Sequence, residues 1–119
     1  MKLFLAAVLC CLISVGPASA LFTGNDILKL CTDGNKDADR ACLMWMTGLG
    51  AGMAVSEAMS RHEKKEPVVC IPDGVNGNQI RMIVENYMRD NPNTLHLPAD
   101  VIAGRAIQRA FPFPCANAK

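Results

Sequence analysis

Hydrophobic positions along this chain recur with the spacing of helices, and none of the apolar runs alternates with the period of a strand. A first segment opens at Thr23-Gly24-Asn25-Asp26. There the Thr hydroxyl can accept from the backbone N–H three residues on, and the Asp carboxylate sits at the positive helix end. Ile27, Leu28, Leu30 and Cys31 supply its apolar side. The second segment, from about Asp39 to His62, holds sixteen consecutive uncharged residues, Ala41 to Ser56, apolar around nearly the whole circumference. Such a helix is expected at the buried centre of the fold. Gly48, Gly50 and Gly52 lie within it, each costing about 1 kcal/mol of helix propensity relative to Ala. Close approach of another helix over the side shared by Gly48 and Gly52, near Trp45, is the expected compensation.

The third helix follows Pro72-Asp73-Gly74, with Asn76 as its cap and Gln79 three residues later. Ile80, Ile83, Val84, Tyr87 and Met88 form its apolar stripe, and Arg81, Glu85, Arg89 and Asp90 fall outside it. Asn91-Pro92 stops it. Pro98 restarts a helix whose face is Ala99, Ile102, Ala103, Ala106, Ile107 and Ala110, closed by Phe111-Pro112. The pattern predicts an all-α, small single-domain bundle of about four helices.

The amino terminus changes the count. Lys2, the apolar run Leu3 to Val15 and Ala18-Ser19-Ala20 have the layout of a cleaved signal peptide over residues 1–20, leaving a helical domain over 21–119 and implying export. Cys10 and Cys11 follow Leu9 and Cys10, which are larger than the small residues lipoprotein processing prefers. Removing 20 residues leaves 99 of the 119, four of the six cysteines, and 11 basic against 11 acidic residues. A neutral chain gives no electrostatic reason to bind nucleic acid or an anionic membrane. The uncharged run is also short for a membrane span.

A domain of this size hides only about two thirds of its unfolded surface, so cross-links matter. Four cysteines allow three pairings. Cys31 closes the first helix where Cys42 opens the second, and Cys70 precedes the third helix where Cys115 follows the fourth. Cys31 with Cys42 and Cys70 with Cys115 is therefore the favoured arrangement, at about 3 to 4 kcal/mol each.

Little in the sequence points to catalysis or metal chemistry. Asp33, Asn35, Asp37 and Asp39 alternate like the start of a calcium loop, but Ala38 replaces the turn glycine and Met44 the final carboxylate. They read as a solvated acidic loop. His62-Glu63 lacks the second histidine of a zinc protease helix. Met44 and Met46 diverge on a helix and do not share a copper ion; core filling suits the methionines better. With the cysteines bridged, no thiolate remains as nucleophile or metal ligand. The expectation is a protein with no cofactor, no metal and no enzymatic activity, whose function lies in exposed loops. The first candidate contact set is Asp90, Asn91, Asn93, Thr94 and His96. The second is Arg61, His62, Glu63, Lys64 and Lys65.

Several short motifs occur in a specific order: Phe22-Thr23-Gly24-Asn25-Asp26-Ile27-Leu28 then Cys31; Cys42-x-x-Trp45-x-x-Gly48; Cys70-Ile71-Pro72-Asp73-Gly74-Val75; Asn91-Pro92; Leu97-Pro98-Ala99; and the closing Phe-Pro with Cys115. Together they resemble the Tai/Rap-type immunity proteins that neutralise amidase effectors of type VI secretion systems. Trp45 stands where that family commonly has Tyr, and its Phe-Pro-Cys ending is drawn out here to Phe111-Pro112-Phe113-Pro114-Cys115. The resemblance implies a periplasmic protein that binds, often as a homodimer, over the catalytic cleft of an amidase that cuts peptidoglycan peptides. The reading set against it is a small disulfide-bonded periplasmic chaperone, or a binding protein without a cognate toxin.

Overall fold

Thr23 starts the first helix as expected. Its hydroxyl accepts from the Asp26 N–H while the Asp26 carboxylate accepts from the Thr23 N–H, a reciprocal cap on α1, Gly24–Thr32. A computed structural model describes residues 22–115. The expected signal segment, residues 1–20, with Cys10 and Cys11, lies outside the described residues.

The second helix, α2, spans Lys36–His62 and begins three residues before the expected start at Asp39. The cause is Asn35, whose side chain accepts from the Asp37 N–H at 2.8 Å. Asp37 and Asp39 thus belong to the first helical turn, where carboxylates suit the positive helix end, and not to an acidic loop. The third helix, α3, Gly77–Asp90, carries the expected Asn76–Gln79 capping box. After a single 3-10 turn at Pro92–Thr94 comes α4, Ala99–Ala110, with Pro98 as its cap. No strand is present among the described residues, which contain one isolated antiparallel bridge between Thr23 and Pro98.

α3 is the hub, packing on α2 and α4 and touching α1. Its stripe buries Ile80, Val84 and Met88 against Ile27 of α1, Met46 of α2, and Ile102 and Ile107 of α4. The small residues Ala99, Ala103 and Ala106 are fully covered and let α4 approach closely, while Ala110 at the end of that face is exposed. Two disulfides close the ends. Cys31–Cys42 joins α1 to α2 with Cα atoms 5.1 Å apart, and Cys70–Cys115 ties the chain after α4 to the segment before α3 at 5.3 Å, as the cysteine placement implied.

α2 departs from expectation. It is buried on one side only, through Cys42, Met46 and Gly50, with Trp45 half-buried against the core. Gly48 and Gly52 were expected to seat a neighbouring helix, yet both are exposed and a Cβ on either would meet open space. The close approach is at Gly50, where a Cβ would stand 3.1 Å from Ile80 of α3. The physical reason is rotational. Gly48 and Gly52 lie on the opposite side of the helix from Met46, and only Gly50 shares the Met46 face. The uncharged run on its outward side is therefore exposed in the single chain. No helix among the described residues is long and apolar enough to cross a membrane.

Candidate functional site

The stretch from Asn91 to Leu97 connects α3 to α4, and its shape is set mainly by backbone hydrogen bonds. Asn91 ends α3 by donating its N–H to the Met88 carbonyl, and its side-chain amide donates to the Tyr87 carbonyl at 2.8 Å. Pro92 then enters the 3-10 turn, over which Thr94 donates both its N–H and its hydroxyl to the Asn91 carbonyl. The next carbonyls serve α1: Leu95 and Leu97 each accept at 3.0 Å, from the N–H groups of Asn25 and Gly24. These are donors that a helix N-terminus cannot satisfy within itself. Ala99 N–H completes the clamp by donating to the Phe22 carbonyl at 2.9 Å. Gly24 permits this contact, because a Cβ there would run into Ile102 and approach the Leu95 backbone to 3.1 Å.

Within this clamp the five residues of the first candidate set separate into two kinds. Asn91 and Thr94 are half-buried and spend their side chains on the turn itself. Asp90, Asn93 and His96 are exposed, and no side-chain hydrogen bond holds them among the described residues. They offer a carboxylate, an amide and an imidazole on a fixed backbone, a set suited to recognising polar groups of a partner.

The second candidate set lies beyond the other end of α4, beside the tail that follows it. Glu57 organises it from inside: one carboxylate oxygen accepts from Arg61 at 2.7 Å, the other from the Ile71 N–H at 2.9 Å. Arg61 also places Nη2 2.8 Å from Cys115 Sγ. Lys64 turns the chain in the left-handed region at φ 56°, and Lys65 pairs with Glu63. Arg61 is thus a strut, and His62 and Lys64 are the exposed groups without such a partner among the described residues. The Cys70 N–H, donating to the Phe111 carbonyl at 3.0 Å, joins the tail to this corner.

A third cluster was not visible as a site in the sequence. Arg81, placed outside the apolar stripe of α3, reaches Asp39 of α2, Glu85 of its own helix and, at 2.8 Å, the Cys31 carbonyl at the end of α1. Glu85 in turn accepts from Arg89. The Glu85 contact first, and Asp39 second, hold the Arg81 guanidinium more firmly protonated than usual. The signal that could have exposed it is the Arg81, Glu85, Arg89 spacing of four, which aligns three charges on one flank of α3. The cluster borders an open depression of about 530 Å³ between the end of α1 and the start of α2. Glu85 lies near the Cys31 and Cys42 sulfurs, and Glu57 near those of Cys70 and Cys115, but both sulfur pairs are spent on disulfides.

The model of the Rap1a immunity proteins matches residues 23–115, from the α1 cap to the last bridged cysteine. No curated protein and no solved structure matches the chain.

Proposed function

The chain belongs to the Rap1a immunity proteins, and from that premise we propose that it protects its host by binding a peptidoglycan-cutting amidase effector of a type VI secretion system and covering the enzyme's active-site groove. The observation that carries this reading is the extent of the family match, which takes in the four helices and two disulfides of the described residues. Immunity by occlusion needs no turnover. It needs a surface that keeps its shape, because ordering a mobile loop on binding subtracts from affinity. The Asn91–Leu97 stretch meets that requirement, and Asp90, Asn93 and His96 are the side chains we assign to the effector. His62 and Lys64 are the alternative contact.

Export completes the account. The segment 1–20 directs the chain to the periplasm and is removed there, where two disulfides persist and where the effector's substrate lies. The protein acts there as a pair of identical copies.

The test is direct. Mature, oxidised protein is mixed with the amidase effectors encoded beside it or delivered by neighbouring strains, and release of peptidoglycan peptides is followed. A stoichiometric complex that silences one such enzyme is expected. Failure to bind or inhibit any of them would overturn the reading.

A further inference from the structure

We propose that the two disulfides differ in function: Cys70–Cys115 is an exchange site for small thiols, with Arg61 holding the Cys115 thiolate once the bridge opens, while Cys31–Cys42 stays closed. The two bridges have unlike surroundings. Cys31 and Cys42 are 7 % and 0 % exposed and belong to the apolar core. The guanidinium at that end, Arg81, donates to the Cys31 carbonyl and not to a sulfur. Opening this bridge would leave thiols in an apolar interior, where burial disfavours the thiolate. Cys115 instead is half-buried on the tail that follows α4, and Arg61 Nη2 stands 2.8 Å from its Sγ.

The hydrogen-bond arrangement of Arg61 explains what this contact does. One oxygen of Glu57 accepts from both Nε and Nη2 of Arg61, and the other accepts from the Ile71 N–H. Nη2 carries a second hydrogen, which is left for the sulfur. A disulfide sulfur is a weak acceptor and gains little from it. A thiolate accepts a charge-assisted hydrogen bond, about twice as strong as a neutral one. The contact is therefore stronger after reduction than before, and that difference moves the equilibrium toward the open bridge. The Glu57 carboxylate also lies near both sulfurs and opposes a thiolate there. Its oxygens are engaged by Arg61 and Ile71, however, while the guanidinium touches the sulfur directly.

Opening consumes two molecules of a thiol, R–SH, and passes through a mixed disulfide of R with one of the cysteines. The Cys70–Cys115 S–S bond and both S–H bonds break, and one S–S bond forms in R–S–S–R. The thiol is oxidised and the bridge reduced. One proton goes to the Cys70 sulfur and the other to solvent, which leaves Cys115 as the thiolate beside Arg61. The tail then keeps the hydrogen bond from the Cys70 N–H to the Phe111 carbonyl, and α1 stays tied to α2 by Cys31–Cys42. The Arg61–Lys65 corner thus answers to the thiol content of its surroundings, and the Asn91–Leu97 corner, closed by backbone hydrogen bonds, does not.

The test equilibrates the mature, oxidised chain in glutathione buffers of rising reducing strength, quenches with acid, alkylates the free thiols and maps them by mass spectrometry. Cys70–Cys115 is expected to open at a ratio of squared reduced to oxidised glutathione about tenfold or more below that for Cys31–Cys42, with helicity retained in circular dichroism. Both bridges opening together, or Cys31–Cys42 opening first, overturns the proposal. Arg61→Gln separates holding a thiolate from bracing the corner. Loss of a brace alone makes the bridge easier to open. Loss of the thiolate's partner makes it harder, by about tenfold in the same ratio, the contribution of one hydrogen bond to a charged group. Unchanged or easier opening in Arg61→Gln overturns the role of Arg61. The wild-type species with only Cys70–Cys115 open should also show the ultraviolet absorbance of a thiolate at neutral pH, and its absence overturns that role as well.

Discussion

The two polar corners at either end of α4 are held in different ways. Asn91–Leu97 is clamped by main-chain hydrogen bonds, its Leu95 and Leu97 carbonyls filling the open donors of α1. Arg61–Lys65 is held by a side-chain carboxylate, Glu57, and by one disulfide. A backbone clamp leaves the side chains it carries available for recognition. A side-chain clamp consumes them, which is why Arg61 is a strut and Asn93 is not.

The largest effect separating the corners should come from breaking Cys70–Cys115. Replacing both cysteines by Ala releases a closed loop of 45 residues, a loss of about 4 kcal/mol on the chain-entropy model. In hydrogen exchange, the Ser60–Lys65 amides and the Phe111–Cys115 tail should lose protection well before Gly24 and Asn25, whose amides report the backbone clamp. Equal and simultaneous loss at both corners would show that they are not independently held.

Gly24→Ala attacks the other corner. Its new methyl group meets Ile102 and the Leu95 backbone, an overpacking that should cost about 1–3 kcal/mol in denaturant unfolding and shift the Asn91–Leu97 resonances. The Arg61–Lys65 turn should be unaffected.

These two corners also mark how far the sequence could be read. The caps at Thr23 and Asn76, the stops at Asn91-Pro92 and Phe111-Pro112, and the cysteine pairing are legible because each rests on local chemistry within a few residues. Whether a polar side chain is free depends on what the fold brings beside it. Asn91 and Thr94 look identical in kind to Asn93, yet only the turn geometry shows that they are spent. Arg81 reads as solvent-facing until α1 and α2 supply Cys31 and Asp39. The uncharged run of α2 suggested burial on every side, and periodicity could not say that its outer side is open in the single chain.

A smaller effect is expected from Glu57→Gln. The amide retains an acceptor for the Ile71 N–H but loses the charge that Arg61 meets, a change of about 1 kcal/mol with local loosening of the Arg61–Lys65 turn in hydrogen exchange. The smallest concerns the α1 cap. The Thr23 N–H, followed by its hydroxyl, holds the Asp26 carboxyl below the ordinary carboxylate range. A carboxyl lowered in the folded state contributes above its unfolded pKa, and that contribution fades as pH falls through the folded value. Asp26→Asn should therefore flatten the acid side of the stability profile measured by urea unfolding, and an unchanged slope would contradict the assignment.

The central claim is that the effector meets the backbone-clamped corner. The most direct measurement compares inhibition of the cognate amidase by two variants: Asp90→Ala with Asn93→Ala and His96→Ala, and His62→Ala with Lys64→Ala. The account predicts that the first loses inhibition by two orders of magnitude or more, at about 1 kcal/mol or more per contact, while the second stays within a few-fold of wild type. The reverse ranking would place the effector at the other corner and contradict it.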